Sequence, residues 1–76
     1  MNMTEKLAQD IKLERMMKWF AYDHLPPALQ EISKPFHKLA VVIIDQVSPG
    51  PERTVALRKL LEAKDAAVRA KLFPGG

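Results

Sequence analysis

Cysteine is absent from this chain of 76 residues, and glycine is rare, with three residues. Without cysteine the protein has neither a disulfide framework nor a zinc finger. A chain of this length buries a small core, so we expect association of subunits to supplement it. The glycines are one turn residue and two residues of the C-terminal tail, so no glycine-rich phosphate loop is present.

Long apolar runs are also missing from the sequence. The longest, Leu39–Ile44, is far shorter than the roughly 20 residues that a membrane-spanning helix needs. Acidic residues occur early, at Glu5, Asp10 and Glu14, which is not the pattern of a secretory signal peptide. We therefore expect a cytoplasmic protein that does not contact a membrane.

The residue types that carry catalysis are sparse. His24 and His37 do not have the His-Glu-x-x-His spacing of a metal site. Ser33 and Ser48 lie beside turn-forming residues, where a cap or turn role accounts for a serine. We expect no metal, no cofactor and no enzymatic activity. The net charge of +3 and the isoelectric point near 9.5 favour anionic partners.

Proline and glycine divide the chain into three segments, each with the pattern of a helix. The first is predicted from about Thr4, as N-cap, to about Trp19. The second is predicted from Pro27 to about Val47, with Pro35 either kinking it or restarting it behind Ser33 as a cap. The third is predicted from Pro51 to about Leu72, and its short link to the second favours an antiparallel hairpin. The sequence thus predicts one all-α domain over residues 1–76.

Two of these helices have apolar faces that predict contacts. In the second, six residues cover more than half of the circumference, which indicates subunit contacts: Phe36, Leu39, Val42, Ile43, Ile44 and Val47. In the third, one stripe contains Leu57, Leu60, Leu61, Val68 and Leu72. Lys64 falls inside that stripe, so it must extend to solvent, pair with a carboxylate such as Asp45, or meet an anionic ligand.

Charged and aromatic clusters add further expectations. On the third helix, Arg58 and Glu62, and likewise Asp65 and Arg69, have the i, i+4 spacing of weak ion pairs. Trp19 and Phe20 are expected in the core, as aromatic clusters of small proteins usually are. Tyr22 lies beside a turn with polar neighbours, where a ring face can stay open to stack on a nucleobase.

Three stretches of the sequence resemble the phage-encoded anti-CBASS sponge family. They are Phe20 through Phe36, which begins Phe20-Ala-Tyr22-Asp-His24-Leu25-Pro26-Pro27, then Pro49-Gly50-Pro51-Glu52-Arg53-Thr54, and Leu57 through Arg69. The hairpin is also similar to a domain of the anti-Thoeris sponges. The resemblance covers residues 19–72; residues 1–18 form an additional N-terminal helix and residues 73–76 a tail.

The resemblance implies a helical hexamer, built as a trimer of dimers, that binds its ligand without hydrolysis. Cyclic dinucleotides such as 3′,3′-cGAMP would lie between two subunits, and cyclic trinucleotides at separate sites shared by three. Such a protein would act in the cytoplasm of the infected bacterial host, where it would suppress CBASS signalling.

Individual site residues follow from the same resemblance. Tyr22 corresponds to the base-stacking aromatic residue. Lys34, His37 and Lys38 are the candidates for contacts with the dinucleotide phosphates, and Arg69 or Arg58 for the trinucleotide site. The alternative is a small basic protein that binds nucleic acid or regulates it through helices around the 48–51 turn. The acidic residues of the third helix count against that alternative, since a duplex-binding face is depleted of acids.

Overall fold

The chain folds into three α-helices and one 3-10 helix. The computed structural model describes residues 2–76, so Met1 of the predicted domain lies outside the described residues. Helix α1 is Met3–Leu13, the 3-10 helix is Arg15–Phe20, α2 is Pro27–Gln46, and α3 is Pro51–Leu72. No strand occurs in residues 2–76, and the helices pack against one another, so the predicted all-α class is confirmed.

Helix α1 begins two residues earlier than expected. The Asn2 side chain accepts a hydrogen bond from the Glu5 backbone N–H at 2.8 Å, and the Glu5 carboxylate accepts one from the Asn2 N–H at 3.4 Å. This reciprocal capping box satisfies two N–H groups that the helix itself leaves unpaired. The prediction that Thr4 is the N-cap is therefore wrong, because Thr4 already belongs to the first turn.

The first helical segment does not run unbroken to Trp19. Glu14 adopts an extended backbone, with φ −81° and ψ 107°, which ends α1. Its carboxylate accepts a hydrogen bond from the Met16 N–H at 3.1 Å and so caps the 3-10 helix that follows. The single predicted helix is thus two helices, because Glu14 serves as a cap inside it.

Helix α2 continues through Pro35. Proline removes one backbone donor, yet the helix is continuous from Pro27 to Gln46. The alternative in which the helix restarts behind Ser33 is therefore wrong. Ser33 lies inside the helix with a fully buried side chain, and does not cap it.

Helices α2 and α3 form the body of the molecule. They are joined by residues 47–50, and the Arg53 side chain donates a hydrogen bond to the Val47 carbonyl at 3.0 Å across the turn. Ser33 near the start of α2 and Val68 near the end of α3 line the same cavity, as an antiparallel hairpin requires. The buried core consists of Met17, Phe20, Ala40, Ile44 and Leu57.

The apolar stripes are only partly covered within one chain. Leu57 is fully buried and Leu60 and Leu61 pack against the core, but Leu72 is about half exposed. On α2, Leu39 and Val42 are also about half exposed. The predicted excess of apolar surface on α2 is therefore present. None of the helices in residues 2–76 is long and apolar enough to cross a bilayer.

Candidate ligand-binding site

Residues of the 3-10 helix line two surface cavities. The smaller, which we call the Tyr22 cavity, has a volume of about 350 Å³. The larger, the Trp19 cavity, has a volume of about 440 Å³. Both lie in the size range of small-molecule sites. The Tyr22 cavity is lined by Ile11, Met17, Lys18, Ala21, Tyr22, Asp23 and His37. The Trp19 cavity is lined by Lys18, Trp19, Ala21, His24, Leu25, Ser33, Lys64, Asp65, Val68 and Arg69.

In the Tyr22 cavity, an aromatic contact joins the loop before α2 to α2 itself. The rings of Tyr22 and His37 meet edge to face, with centroids 5.3 Å apart and planes at 76°. Such pairs stabilise the arrangement beyond simple burial. Tyr22 is only partly buried, so the contact holds its ring in place while part of the ring remains accessible at the cavity.

The cations predicted around Tyr22 are distributed unevenly. His37 lines the cavity, whereas Lys34 and Lys38 are exposed on α2 and line neither cavity. Lys34, three positions before His37, shares its face of α2, whereas Lys38 follows His37 directly and does not. Lys18 of the 3-10 helix lines both cavities and was missed by the sequence analysis. Its position directly before the aromatic residues Trp19 and Phe20 could have indicated a role at this site.

Trp19 forms the outer wall of the larger cavity. Its side chain is 54% exposed, so the prediction that it belongs to the core is wrong, while Phe20 is fully buried as expected. A 3-10 helix has three residues per turn, and this period turns Met17 and Phe20 inward together. Trp19 is thereby left outside, with the Lys18 ammonium 4.9 Å from its ring centroid.

Lys64 reaches back from α3 to the 3-10 helix. Its ammonium donates a hydrogen bond to the Trp19 backbone carbonyl at 2.7 Å and lies 3.2 Å from the Asp65 carboxylate. The side chain is only 13% exposed. Lys64 therefore pairs with a carboxylate, as one expectation held, but the partner is the neighbouring Asp65 and not Asp45.

The two predicted i, i+4 ion pairs on α3 do not form in residues 2–76. Glu62 pairs with Lys59 at 3.7 Å, and Asp65 pairs with Lys64. Arg58 is exposed and lines neither cavity. Arg69 lines the Trp19 cavity without an ion-pair partner among the described residues. Of the two arginines predicted as ligands, only Arg69 is therefore placed at a cavity.

A buried hydroxyl lies at the wall of the Trp19 cavity. Ser33 is fully buried, and its Oγ has no hydrogen-bond partner among residues 2–76. An unsatisfied buried hydroxyl costs about 1–3 kcal/mol, and most buried polar groups are paired. The sequence analysis interpreted Ser33 as a cap or turn residue, so it predicted neither the burial of the side chain nor its lack of a hydrogen-bond partner.

The two histidines lie at different cavities. His24 lines the Trp19 cavity and His37 the Tyr22 cavity. Residues 2–76 contain no group of three or more histidine, aspartate or glutamate side chains that could hold a metal ion. A scan against protein-family models and searches of curated proteins and of solved structures found no significant match.

Proposed function

We propose that this protein binds cyclic oligonucleotide second messengers, with 3′,3′-cGAMP as the representative ligand, and sequesters them without hydrolysis. The resemblance of residues 19–72 to the anti-CBASS sponges motivates the proposal. The observation that supports it most is the placement of the Tyr22 ring, which is held by His37 at the edge of a cavity that Lys18 also lines. In the infected host, such binding lowers the free messenger concentration and keeps the effectors of CBASS inactive.

The chemistry of the Tyr22 cavity fits a cyclic dinucleotide. A partly accessible aromatic ring offers a surface on which a nucleobase stacks, and stacking contributes about 1–3 kcal/mol per base. Lys18 in the cavity lining supplies a cation for phosphate, and the exposed Lys34 and Lys38 of α2 remain candidates for further phosphate contacts. Charge-assisted hydrogen bonds from such groups are among the stronger polar contacts in proteins.

A twofold assembly would complete the site. A cyclic dinucleotide carries two bases and two phosphates, so two copies of the Tyr22 cavity related by a twofold axis match it. One chain leaves Leu39 and Val42 of α2 about half exposed, which gives a second subunit apolar surface to cover. We propose a hexamer made of three such dimers, with Arg69 as the residue offered to cyclic trinucleotides.

Sequestration requires affinity rather than catalysis. A sponge competes with a receptor for each messenger molecule, so its dissociation constant must lie well below the messenger concentration. Stacking, phosphate contacts and exclusion of water are sufficient for this, and no residue needs to transfer a proton. The proposal therefore predicts that the ligand is recovered unchanged after prolonged incubation.

Calorimetric titration of Tyr22 variants with 3′,3′-cGAMP tests the assignment. Tyr22→Ala should weaken binding about 5- to 150-fold, which corresponds to the loss of one stacked base. Tyr22→Phe retains the ring and should bind like the wild type. Phe73→Ala removes an exposed aromatic side chain from the chain end and serves as the matched control. Chromatography of the released ligand checks that the phosphodiester bonds remain intact.

Two results would contradict the proposal. The first is an unchanged affinity of Tyr22→Ala, and the second is the appearance of linear nucleotide during incubation. A third result would support the nucleic-acid-binding alternative. In it, the protein binds neither 3′,3′-cGAMP nor cyclic trinucleotides but binds random-sequence duplex DNA in a gel-shift assay, with an affinity that falls as salt increases.

A further inference from the structure

We propose that the Trp19 cavity is a second binding site, for a small phosphate monoester, distinct from the Tyr22 cavity. Of their lining residues, the two cavities share only Lys18 and Ala21. The inference does not depend on binding of a cyclic dinucleotide, because apart from Lys18 and Ala21 the two cavities are lined by different side chains.

The charge of this cavity matches that of a phosphate monoester. Lys18, Lys64 and Arg69 contribute three positive charges to its lining and Asp65 one negative charge, which leaves an excess of two. A phosphate monoester carries about 1.5 to 2 negative charges at neutral pH. A carboxylate carries only one, so the lining is better balanced by a phosphate monoester.

The unpaired hydroxyl of Ser33 is an independent indication of a ligand. Ser33 lines this cavity, is fully buried, and lacks a hydrogen-bond partner for Oγ among residues 2–76. Buried hydroxyl groups are paired in most proteins, so this one indicates a missing acceptor or donor. An ester or phosphate oxygen at the floor of the cavity supplies the missing acceptor once a small side-chain displacement uncovers the buried Oγ.

The cationic groups near Ser33 still have donors to offer. The Lys64 ammonium has three N–H donors, of which one goes to the Trp19 carbonyl and one faces Asp65. Arg69 has no ion-pair partner within residues 2–76, and its planar guanidinium suits phosphate. The two groups are five positions apart on α3, about 140° around the helix, and both line the Trp19 cavity.

The remaining wall of the cavity is apolar and fits the organic part of the ligand. Leu25 and Val68 contribute aliphatic surface, and Trp19 contributes an indole that is more than half exposed. The cavity volume of about 440 Å³ lies within the range of small-molecule sites. A flat or apolar body attached to a single phosphate therefore fits both halves of the cavity.

Fluorescence titration with AMP tests this site directly, because Trp19 is the only tryptophan of the chain. AMP should change the Trp19 emission in a saturable way, and inorganic phosphate should compete with it. Adenosine, which lacks the phosphate, should bind at least about tenfold more weakly, as expected for the loss of a charge-assisted contact. The Tyr22→Ala variant should bind AMP like the wild type.

Variants distinguish a specific binding site from nonspecific attraction between charges. Arg69→Gln and Ser33→Ala should each weaken AMP binding, the arginine variant by at least about tenfold. Lys59→Gln removes an exposed cation outside both cavities and should leave AMP binding unchanged. Circular dichroism confirms that each variant is folded.

The inference is overturned if AMP leaves both the Trp19 emission and the heat of titration unchanged at millimolar concentration. It is equally overturned if adenosine binds as well as AMP, or if Arg69→Gln binds like the wild type. Loss of AMP binding in Tyr22→Ala would place AMP in the other cavity and also overturn it. Failure of 3′,3′-cGAMP to bind would contradict the proposed function and leave this inference intact.

Discussion

Lys64 and Trp19 are 45 positions apart, yet the Lys64 ammonium donates a hydrogen bond of 2.7 Å to the Trp19 backbone carbonyl. The bond fastens the 3-10 helix to α3. Since residues of the 3-10 helix line both cavities, this contact helps to set the shape of both. Lys64 thus acts mainly as a structural cation that also faces the Trp19 cavity.

Removal of the Lys64 ammonium should therefore destabilise the fold. Lys64→Met keeps most of the aliphatic length but leaves the Trp19 carbonyl without its partner. We expect the free energy of unfolding to fall by about 1–3 kcal/mol in urea denaturation. Lys59→Met, which removes an exposed lysine from the same helix, should change it by less than about 0.5 kcal/mol. Equal effects of the two substitutions would contradict the structural role of Lys64.

A buried ion pair joins the end of α1 to the start of α3. Arg53 and Glu14 are 3.0 Å apart, and their side chains are only 7% and 10% exposed. Removing one partner leaves the other charge buried, which costs about 3–5 kcal/mol. Arg53→Met and Glu14→Leu should each lower the melting temperature strongly, and the double variant should be more stable than either single variant. Additive losses in the double variant would show that the two charges do not interact.

Ser33→Ala should have opposite effects on stability and on binding. Alanine removes a buried hydroxyl that has no partner in residues 2–76 and has the higher helix propensity. We expect the free energy of unfolding of the ligand-free protein to rise by about 1 kcal/mol, measured by thermal and urea denaturation. A clear loss of stability would mean that the hydroxyl is paired in solution, and would remove the main sign of a missing ligand.

The exposed apolar residues of α2 predict the effect of surface charges on assembly. Leu39 and Val42 are one turn apart and about half exposed. If they lie between subunits, as the proposed hexamer requires, Leu39→Glu and Val42→Glu should reduce the molar mass measured by sedimentation equilibrium. Glu31→Lys, an exposed change on the same helix, is the control. A wild type that is already monomeric would contradict the proposed assembly.

Local signals predicted much of the fold. Pro27 and Pro51 marked the starts of α2 and α3, because proline fits the first helical turn, and both starts are confirmed. The end of α1 was not predictable from its neighbours alone, since Glu14 is held by Arg53 from 39 positions away. The orientation of Trp19 depended on whether its segment is an α-helix or a 3-10 helix, which the sequence pattern does not resolve.

Part of the candidate site was also predictable from the sequence, and part was not. Tyr22 and His37 were both selected from the sequence, and they meet in one cavity. Lys34, Lys38 and Arg58 are exposed and line neither cavity. The sequence could not show this, because spacing along a helix does not indicate which part of the protein a residue faces. The sequence analysis selected Lys64 for its place in an apolar stripe and expected a carboxylate partner, which is Asp65. Its hydrogen bond to the Trp19 backbone carbonyl is a contact that no side-chain pattern reveals.

The most direct test of the proposed function is a calorimetric titration of the wild-type protein with 3′,3′-cGAMP. Its stoichiometry reports the architecture of the site, and its curvature reports the affinity. We predict nanomolar binding with one ligand for every two chains, as expected for a pair of Tyr22 cavities that share one cyclic dinucleotide across a twofold axis. The absence of binding, or a stoichiometry of one ligand per chain, would contradict this account.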